Sequence, residues 1–322
     1  MFRTLFLVAA LLPGVTGTAT AQSAADYPRY PVQVVINFPP GGPSDTTIRV
    51  IHEAFQQNLG GVLDLANRPG GGGVLGFALV AKAKPDGYTL VNAMASPLTV
   101  GAAVRDVGFS FADFEPIGAY ASDMTVIFGQ PDSRWKTMEE MLAYAKANPT
   151  QLKYASTGLG STPWLVMEAV KVFRGVDIPP VHFVGTGPVR AAALGGHTDV
   201  ATAVFGSIRD LVKAGKLQAL AVSGKTREPG FPDIPTLEEL GLGEASMDLW
   251  GGLWAPKGTP KPIVDKLGTA LEKTVRDRAV AAKLAAAGYR VEWMPPATML
   301  TLTRRDHEVA LRIAKTLKIE KK

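Results

Sequence analysis

Phe38-Pro39-Pro40-Gly41-Gly42-Pro43-Ser44-Asp45 is the stretch that decides how this chain is read. Before it, Val32-Gln33-Val34-Val35-Ile36 is an apolar, β-branched run that reads as a buried strand. After it, Ile48, Ile51, Phe55 and Leu59 recur at three- and four-residue spacing, which predicts a helix. The segment is therefore strand, tight turn, helix. Gly41 and Gly42 let the backbone turn sharply and approach a ligand, and Ser44 or Asp45 is available to cap the helix. A helix start presents unpaired amides and a partial positive charge, so an anion, here a carboxylate, is expected against it.

The pattern continues outward. Residues 62–65 read as a second strand, Asn67-Arg68-Pro69 leads into Gly70-Gly71-Gly72-Gly73, and a helix comes next over 74–83. Pro85-Asp86-Gly87 is a turn, and the strand over 88–93 ends at Ala95-Ser96-Pro97. This β-α-β-α-β order implies a parallel sheet covered by helices. Ligands of such sheets gather beyond the C-terminal ends of the strands, where the 38–45 turn and Ser96 both fall.

The middle of the chain repeats the device. A strand over 124–128 precedes a helix over 136–147, which Asn148-Pro149 stops. The strand over 152–155 runs into Ser156-Thr157-Gly158-Leu159-Gly160-Ser161-Thr162-Pro163, beyond which Trp164, Met167, Glu168 and Lys171 lie on helical spacing. Further strands are predicted over 180–184 (ending at Gly185-Thr186-Gly187), 199–204 and 217–222, with helices over 188–194, 207–214 and 237–240. Residues 249–255 read as an extended crossing segment. The remainder is mostly helical, over 262–276, 279–287 and 298–315, with a strand near Val291. The late helices need a sheet to cover, and the first half supplies one.

The expected architecture is thus α/β with two domains, each a mainly parallel sheet flanked by helices. One domain takes residues 22–125 plus 251–322, the other 126–250, and two crossover segments near 124–128 and 249–253 make a hinge suited to closing on a ligand. The length of 322 residues also favours two domains over one.

Net charge is +5, and no dense Lys/Arg run points to nucleic acid. Arg3, an apolar run over 5–12 and Ala19-Thr20-Ala21 have the form of a secretory signal, predicted over residues 1–21 with the mature chain starting near Gln22. That run is too short to span a bilayer. Cysteine is absent, which excludes disulfides, thiol nucleophiles, cysteine-based metal sites and a lipid-modified cysteine anchor. An exported, untethered protein of this kind is expected in the periplasm, as a monomer.

Gly71-Gly72-Gly73-Val74-Leu75-Gly76 matches the dinucleotide fingerprint in form, but Asn92 and Ser96 stand where the acid that holds the ribose is expected. A close helix–sheet approach is the preferred reading, and no NAD or other cofactor is expected. Ser161 follows Gly160 at a strand-to-helix turn, yet Leu159 and Pro163 replace the glycines of a nucleophile elbow, so a secreted serine hydrolase is the rival reading. His52, His182, His197 and His307 form no metal-ligand spacing. Asp45 reads either as a helix cap or as a pocket residue that would welcome an ammonium or hydroxyl group. Arg190 is placed to reach a distal carboxylate or to stay solvated, and Trp250 and Trp254 are expected to pack a domain junction.

An ordered set of short motifs then carries a resemblance. It comprises Tyr27-Pro28, Phe38-Pro39-Pro40-Gly41-Gly42, Asn67-Arg68-Pro69-Gly70 and Lys84-Pro85-Asp86-Gly87-Tyr88-Thr89-Leu90. It continues with Ser156-Thr157-Gly158-Leu159-Gly160-Ser161, Leu194-Gly195-Gly196, Ala214-Gly215-Lys216-Leu217, Pro232-Asp233-Ile234-Pro235-Thr236 and Ala255-Pro256-Lys257-Gly258-Thr259-Pro260. Nearly the whole mature chain resembles the Bug-type substrate-binding receptors of tripartite tricarboxylate transporters. The resemblance implies a periplasmic-binding-protein (Venus-flytrap) fold without catalysis, and a small organic carboxylate handed to membrane transporter subunits. An exported carboxylate sensor partner is the alternative within the same fold. It also implies that two strand-to-helix loops hold the carboxylate. Here these carry Phe38, Gly41, Gly42, Ser44 and Asp45 on one side, and Thr157, Gly158, Gly160, Ser161 and Thr162 on the other, with Ser96 and Gly185 lining the cleft. Where the family often has a lysine this chain has Val184, and where it often has a histidine it has Trp164. With Phe183, these departures lean towards a bulkier or more apolar acid, aromatic or dicarboxylic.

Overall fold

In the computed structural model, which describes residues 26–321, the chain opens as the β-branched run dictates. Strand β1 (Val32–Ile36) leads into α1 (Pro43–Leu59), then β2 (Leu63–Asn67), α2 (Val74–Ala81), β3 (Thr89–Met94), α3 (Ala102–Val104) and β4 (Phe114–Asp123). The chain crosses at Met124 into β5 (Thr125–Gly129), α4 (Met138–Ala147), β6 (Tyr154–Ser156), α5 (Thr162–Arg174) and β7 (Pro180–His182). Next come α6 (Thr186–Leu194), β8 (Val200–Val204), α7 (Arg209–Lys213) and β9 (Gln218–Val222). It returns through β10 (Leu249–Pro256) to α8 (Lys261–Arg276), α9 (Arg278–Ala286), β11 (Arg290–Met294) and α10 (Pro296–Thr316). The signal segment predicted over 1–21 lies outside the described residues.

Two sheets result. The first has six strands in the order β11-β4-β10-β3-β1-β2, the second five in the order β7-β6-β8-β5-β9. The ladders of β1 with β2 and β3 are parallel, as are those of β6 with β7 and β8, while the crossing strands β10 and β5 run antiparallel to their neighbours. Parallel strands need helical crossovers, and α1 supplies the first by burying Ile48, Ile51, Phe55 and Leu59 against the sheet. Each such side chain contributes roughly 1.5–3 kcal/mol. Gly76 lets α2 press on the end of β1, since a Cβ there would stand 2.7 Å from Asn37 Cβ. Within the glycine run, a Cβ on Gly73 would likewise stand 2.7 Å from Asn37 Nδ2 and 2.8 Å from Pro97 Cγ, and all four glycines have positive φ.

Three predicted features differ. Residues 237–240 form turns, not a helix: Thr236 and Glu239 bond each other's amides, and Leu242 N–H returns to Leu237 O, closing the chain before a helix can extend. The long strand β4 has no counterpart in the predicted elements, because Pro116 and Gly118 interrupt its strand signal; pairing with β10 and β11 on its two edges creates it. Trp250 and Trp254 do not pack a domain junction: β10 belongs to the first sheet, so both lie in that lobe's own core with Phe77, Leu98 and Met299, and Trp250 Nε1 donates to Asp306 at 3.0 Å.

The lobes also touch away from the two crossings. Val100, Ala103 and Val104 after β3, and Ala310, Ile313 and Ala314 on α10, share one core with Trp164, Leu165 and Met141 of the second lobe.

Candidate ligand cleft

The site is built where β1 and β6 end. Beyond Ile36, the 38–45 turn is clamped from beneath. Ser44 Oγ donates to Asn37 Oδ1 at 2.8 Å and accepts from Met94 N at 3.1 Å, and Asn92 Nδ2 donates to Ser44 O at 2.7 Å. Asp45 accepts from Gly41 N at 2.9 Å, Arg49 Nε at 2.7 Å and Asn67 Nδ2 at 2.9 Å. Burial opposes ionisation of Asp45, but these donors outweigh it and hold the carboxyl below its ordinary value.

Neither residue caps α1, because tertiary partners claim both side chains; the capping position is Gly42 and has no side-chain hydrogen bond. Pro43 lacks an N–H, and Thr46 N is the first amide to bond back, to Gly42 O at 2.9 Å. The amides of Ser44 and Asp45 are thus left without an intrahelical acceptor. Phe38, Gly41 and Gly42 border the cleft, whereas the Ser44 and Asp45 side chains support the turn from behind.

The second turn is held by its own hydroxyls. Ser161 Oγ accepts from Trp164 N at 3.3 Å and from Thr157 Oγ1 at 2.8 Å, and donates to Gly158 O at 2.8 Å. It is the N-cap of α5. Ser156 Oγ pairs with His182 Nδ1 at 2.7 Å, and burial holds that imidazole below its usual pKa, with Lys171 adding and Glu168 opposing. Ser161 is therefore occupied as a cap with no histidine on it among the described residues, and the hydrolase arrangement is not assembled. Thr157, Ser161 and Thr162 border the cleft; Gly158 and Gly160 shape the turn behind them.

The two turns face one cavity of about 730 Å³, which Ser96 and Gly185 also border. Val184 stands at its rim, 95% exposed. Trp164 and Phe183 do not border it: Trp164 is buried in the core beneath α5, and Phe183 packs against the core of the second sheet. The lean towards an aromatic acid therefore keeps only Val184 of its three supports. Arg190 is outside as well, donating to Ser207 O at 3.4 Å.

Among the described residues no lysine, arginine or histidine borders the cleft, so an anion there would be held by amides and hydroxyls. Sequence reasoning misses its hinge end, formed by Asp123, Gly206, Leu249 and Tyr289. Asp123 terminates β4, the strand whose own pattern is interrupted. Among the described residues no group of three His, Cys, Asp or Glu could hold a metal, and no helix is long and apolar enough to cross a membrane.

Residues 47–310 match the family described as tripartite tricarboxylate transporter family receptor. The chain belongs to that family. A UPF0065 protein from the TAR-I ttuE-ttuC' intergenic region of Agrobacterium vitis is 32% identical over 317 residues, covering 98% of this chain and 90% of its own. Among solved structures, MatC from Rhodopseudomonas palustris with bound malate is 28% identical at a TM-score of 0.76, covering 89% of this receptor and 99% of that chain. The R. palustris protein Rpa4515 with adipate is 26% identical at a TM-score of 0.79, covering 92% and 100%. The receptor thus has the two-lobed binding-protein fold, and its role is solute capture, not catalysis.

Proposed function

We propose that this receptor captures a small organic carboxylate between its two strand-to-helix turns and delivers it to a membrane transporter. The observation that carries the reading is the meeting of two helix starts, one from each lobe, across a cleft that no described cationic side chain borders. Free amides and a helix dipole suit a carboxylate there. The malate and adipate bound to MatC and Rpa4515 support the same chemistry. On this reading the lobes, residues 22–125 with 251–322 and residues 126–250, close about Met124 and Leu249. The protein works in the periplasm as an untethered monomer, exported by residues 1–21 and processed near Gln22.

A thermal-shift screen against a carboxylate library tests this. A ligand bound only by the folded state adds about 2.7 kcal/mol at a hundredfold excess over Kd. At least one acid is expected to raise the melting temperature by several degrees, while esters are not turned over. Ser161→Ala removes a hydroxyl that both orders the turn and borders the cleft. It is expected to weaken binding of that acid about tenfold, because the hydroxyl that ties Thr157, Gly158 and Trp164 together and caps α5 is lost, at a cost of about 1 kcal/mol. A screen without any stabilising acid, or ester turnover lost with Ser161, would overturn the reading.

A further inference from the structure

Asp123 ends β4 at the first crossing and borders the cleft at its hinge end, beside Tyr289, Gly206 and Leu249. Its residue surface is 5% exposed. Its oxygens accept amides from Met124 at 2.8 Å and Gly206 at 3.0 Å. An ionised carboxylate offers about four lone-pair directions, so two remain open. Arg209, the cation whose field reaches it, is paired with Glu228 at 3.1 Å. The other titratable groups acting there are Asp248 and the Tyr289 phenol. Burial above all pushes the Asp123 carboxyl up to about 7.

We infer that Asp123 is a specificity-determining residue: it accepts a hydrogen bond from a hydroxyl or ammonium at the far end of the ligand. The cleft then takes hydroxy- or amino-carboxylates in preference to diacids. This deepens the carboxylate-receptor reading and rests on it. A second ligand carboxylate at the hinge end would meet a like charge with no bordering cation, and like charges at close range repel strongly in a desolvated site. A hydroxyl or ammonium instead completes a buried acceptor that is otherwise only half satisfied. Met94, Val204 and Leu249 give the cleft apolar walls, against which a hydrocarbon linker fits.

The test is calorimetric titration of the full chain with length-matched acids: succinate, 4-hydroxybutyrate and 4-aminobutyrate, then adipate, 6-hydroxyhexanoate and 6-aminohexanoate. At about pH 8, where Asp123 is ionised, the hydroxy or amino acid is expected to bind about tenfold tighter than its diacid, roughly one charged hydrogen bond. Asp123→Asn is expected to erase that ratio while the diacid still binds, its melting temperature being read alongside. A second measurement needs no variant. In the wild type the preference for the amino acid over the diacid should grow between about pH 6 and about pH 8 as Asp123 loses its proton. Diacid preference in the wild type, a ratio unmoved by pH, or a folded Asp123→Asn with an unchanged ratio would each overturn the inference alone. A panel in which no acid binds would overturn the receptor reading and this inference with it.

Discussion

Glu168→Ala is expected to cost about 3–5 kcal/mol of folding stability, read as a lower urea midpoint with an unchanged slope. Glu168 and Lys171 lie one turn apart on α5 and are both buried. Lys171 Nζ donates to the two carboxylate oxygens at 3.0 and 2.9 Å, and the Tyr154 hydroxyl from the neighbouring strand donates to one of them. Burial, and then the Glu168 charge, hold the Tyr154 phenol well above its usual pKa. Alanine leaves the Lys171 ammonium buried without its counter-ion, and desolvation of that charge sets the cost. Removing both charges together is different. Glu168→Leu with Lys171→Met is expected to cost less than the single variant, because no buried charge is left unpaired, and its remaining cost is about 1–3 kcal/mol for the Tyr154 hydroxyl that loses its acceptor. Because α5 begins at the Ser161 turn, the single variant should also bind ligand more weakly than the double. A single-variant cost below about 1 kcal/mol would mean that Lys171 reaches solvent and the pair is an ordinary surface contact.

Gly252→Val is expected to be as damaging, for a steric reason. Gly252 lies in the middle of β10, where the return crossing packs between β3 and β4. A Cβ there would stand 2.2 Å from Gly118 O and 2.5 Å from Ala119 Cα, both backbone atoms of β4. No side-chain rotation relieves such a clash, so the strands must part and lose ladder hydrogen bonds at the hinge. A loss of about 3 kcal/mol or more, or failure to accumulate folded protein, is the expected result. Gly230→Ala is the control. It lies in an open loop with nothing within 4 Å of a Cβ, and a change within about 0.5 kcal/mol is expected. Equal denaturation midpoints for the two variants would contradict the packing of β10 on β4.

The range of each interaction decides whether the sequence reveals it or conceals it. β1 and α1 are legible because a β-branched run and a three-to-four spacing are local signals, and Asn148-Pro149 marks the end of α4 by chain stereochemistry alone. The two crossings are legible as extended segments because β5 and β10 are apolar in all but Thr125. β4 is concealed because its strand character comes from partners more than a hundred residues away in β10 and β11. The same reason hides the hinge end of the cleft. Ser44 and Asp45 look like helix caps by residue type, yet Asn37, Asn67 and Met94 claim their side chains instead. Trp164 is hard to place for a related reason. Every residue from Thr162 to Lys171 is buried, so no polar stripe on α5 shows which side faces the cleft.

The most direct test of the central claim is a crystal structure of the receptor with the acid that stabilises it most. The bound carboxylate should lie between the first turns of α1 and α5, within hydrogen-bond or single-water reach of the Ser44 or Asp45 amide and of Ser161 or Thr162. A carboxylate seated on a lysine or arginine outside that cleft, or touching one turn with the other facing away, would contradict it.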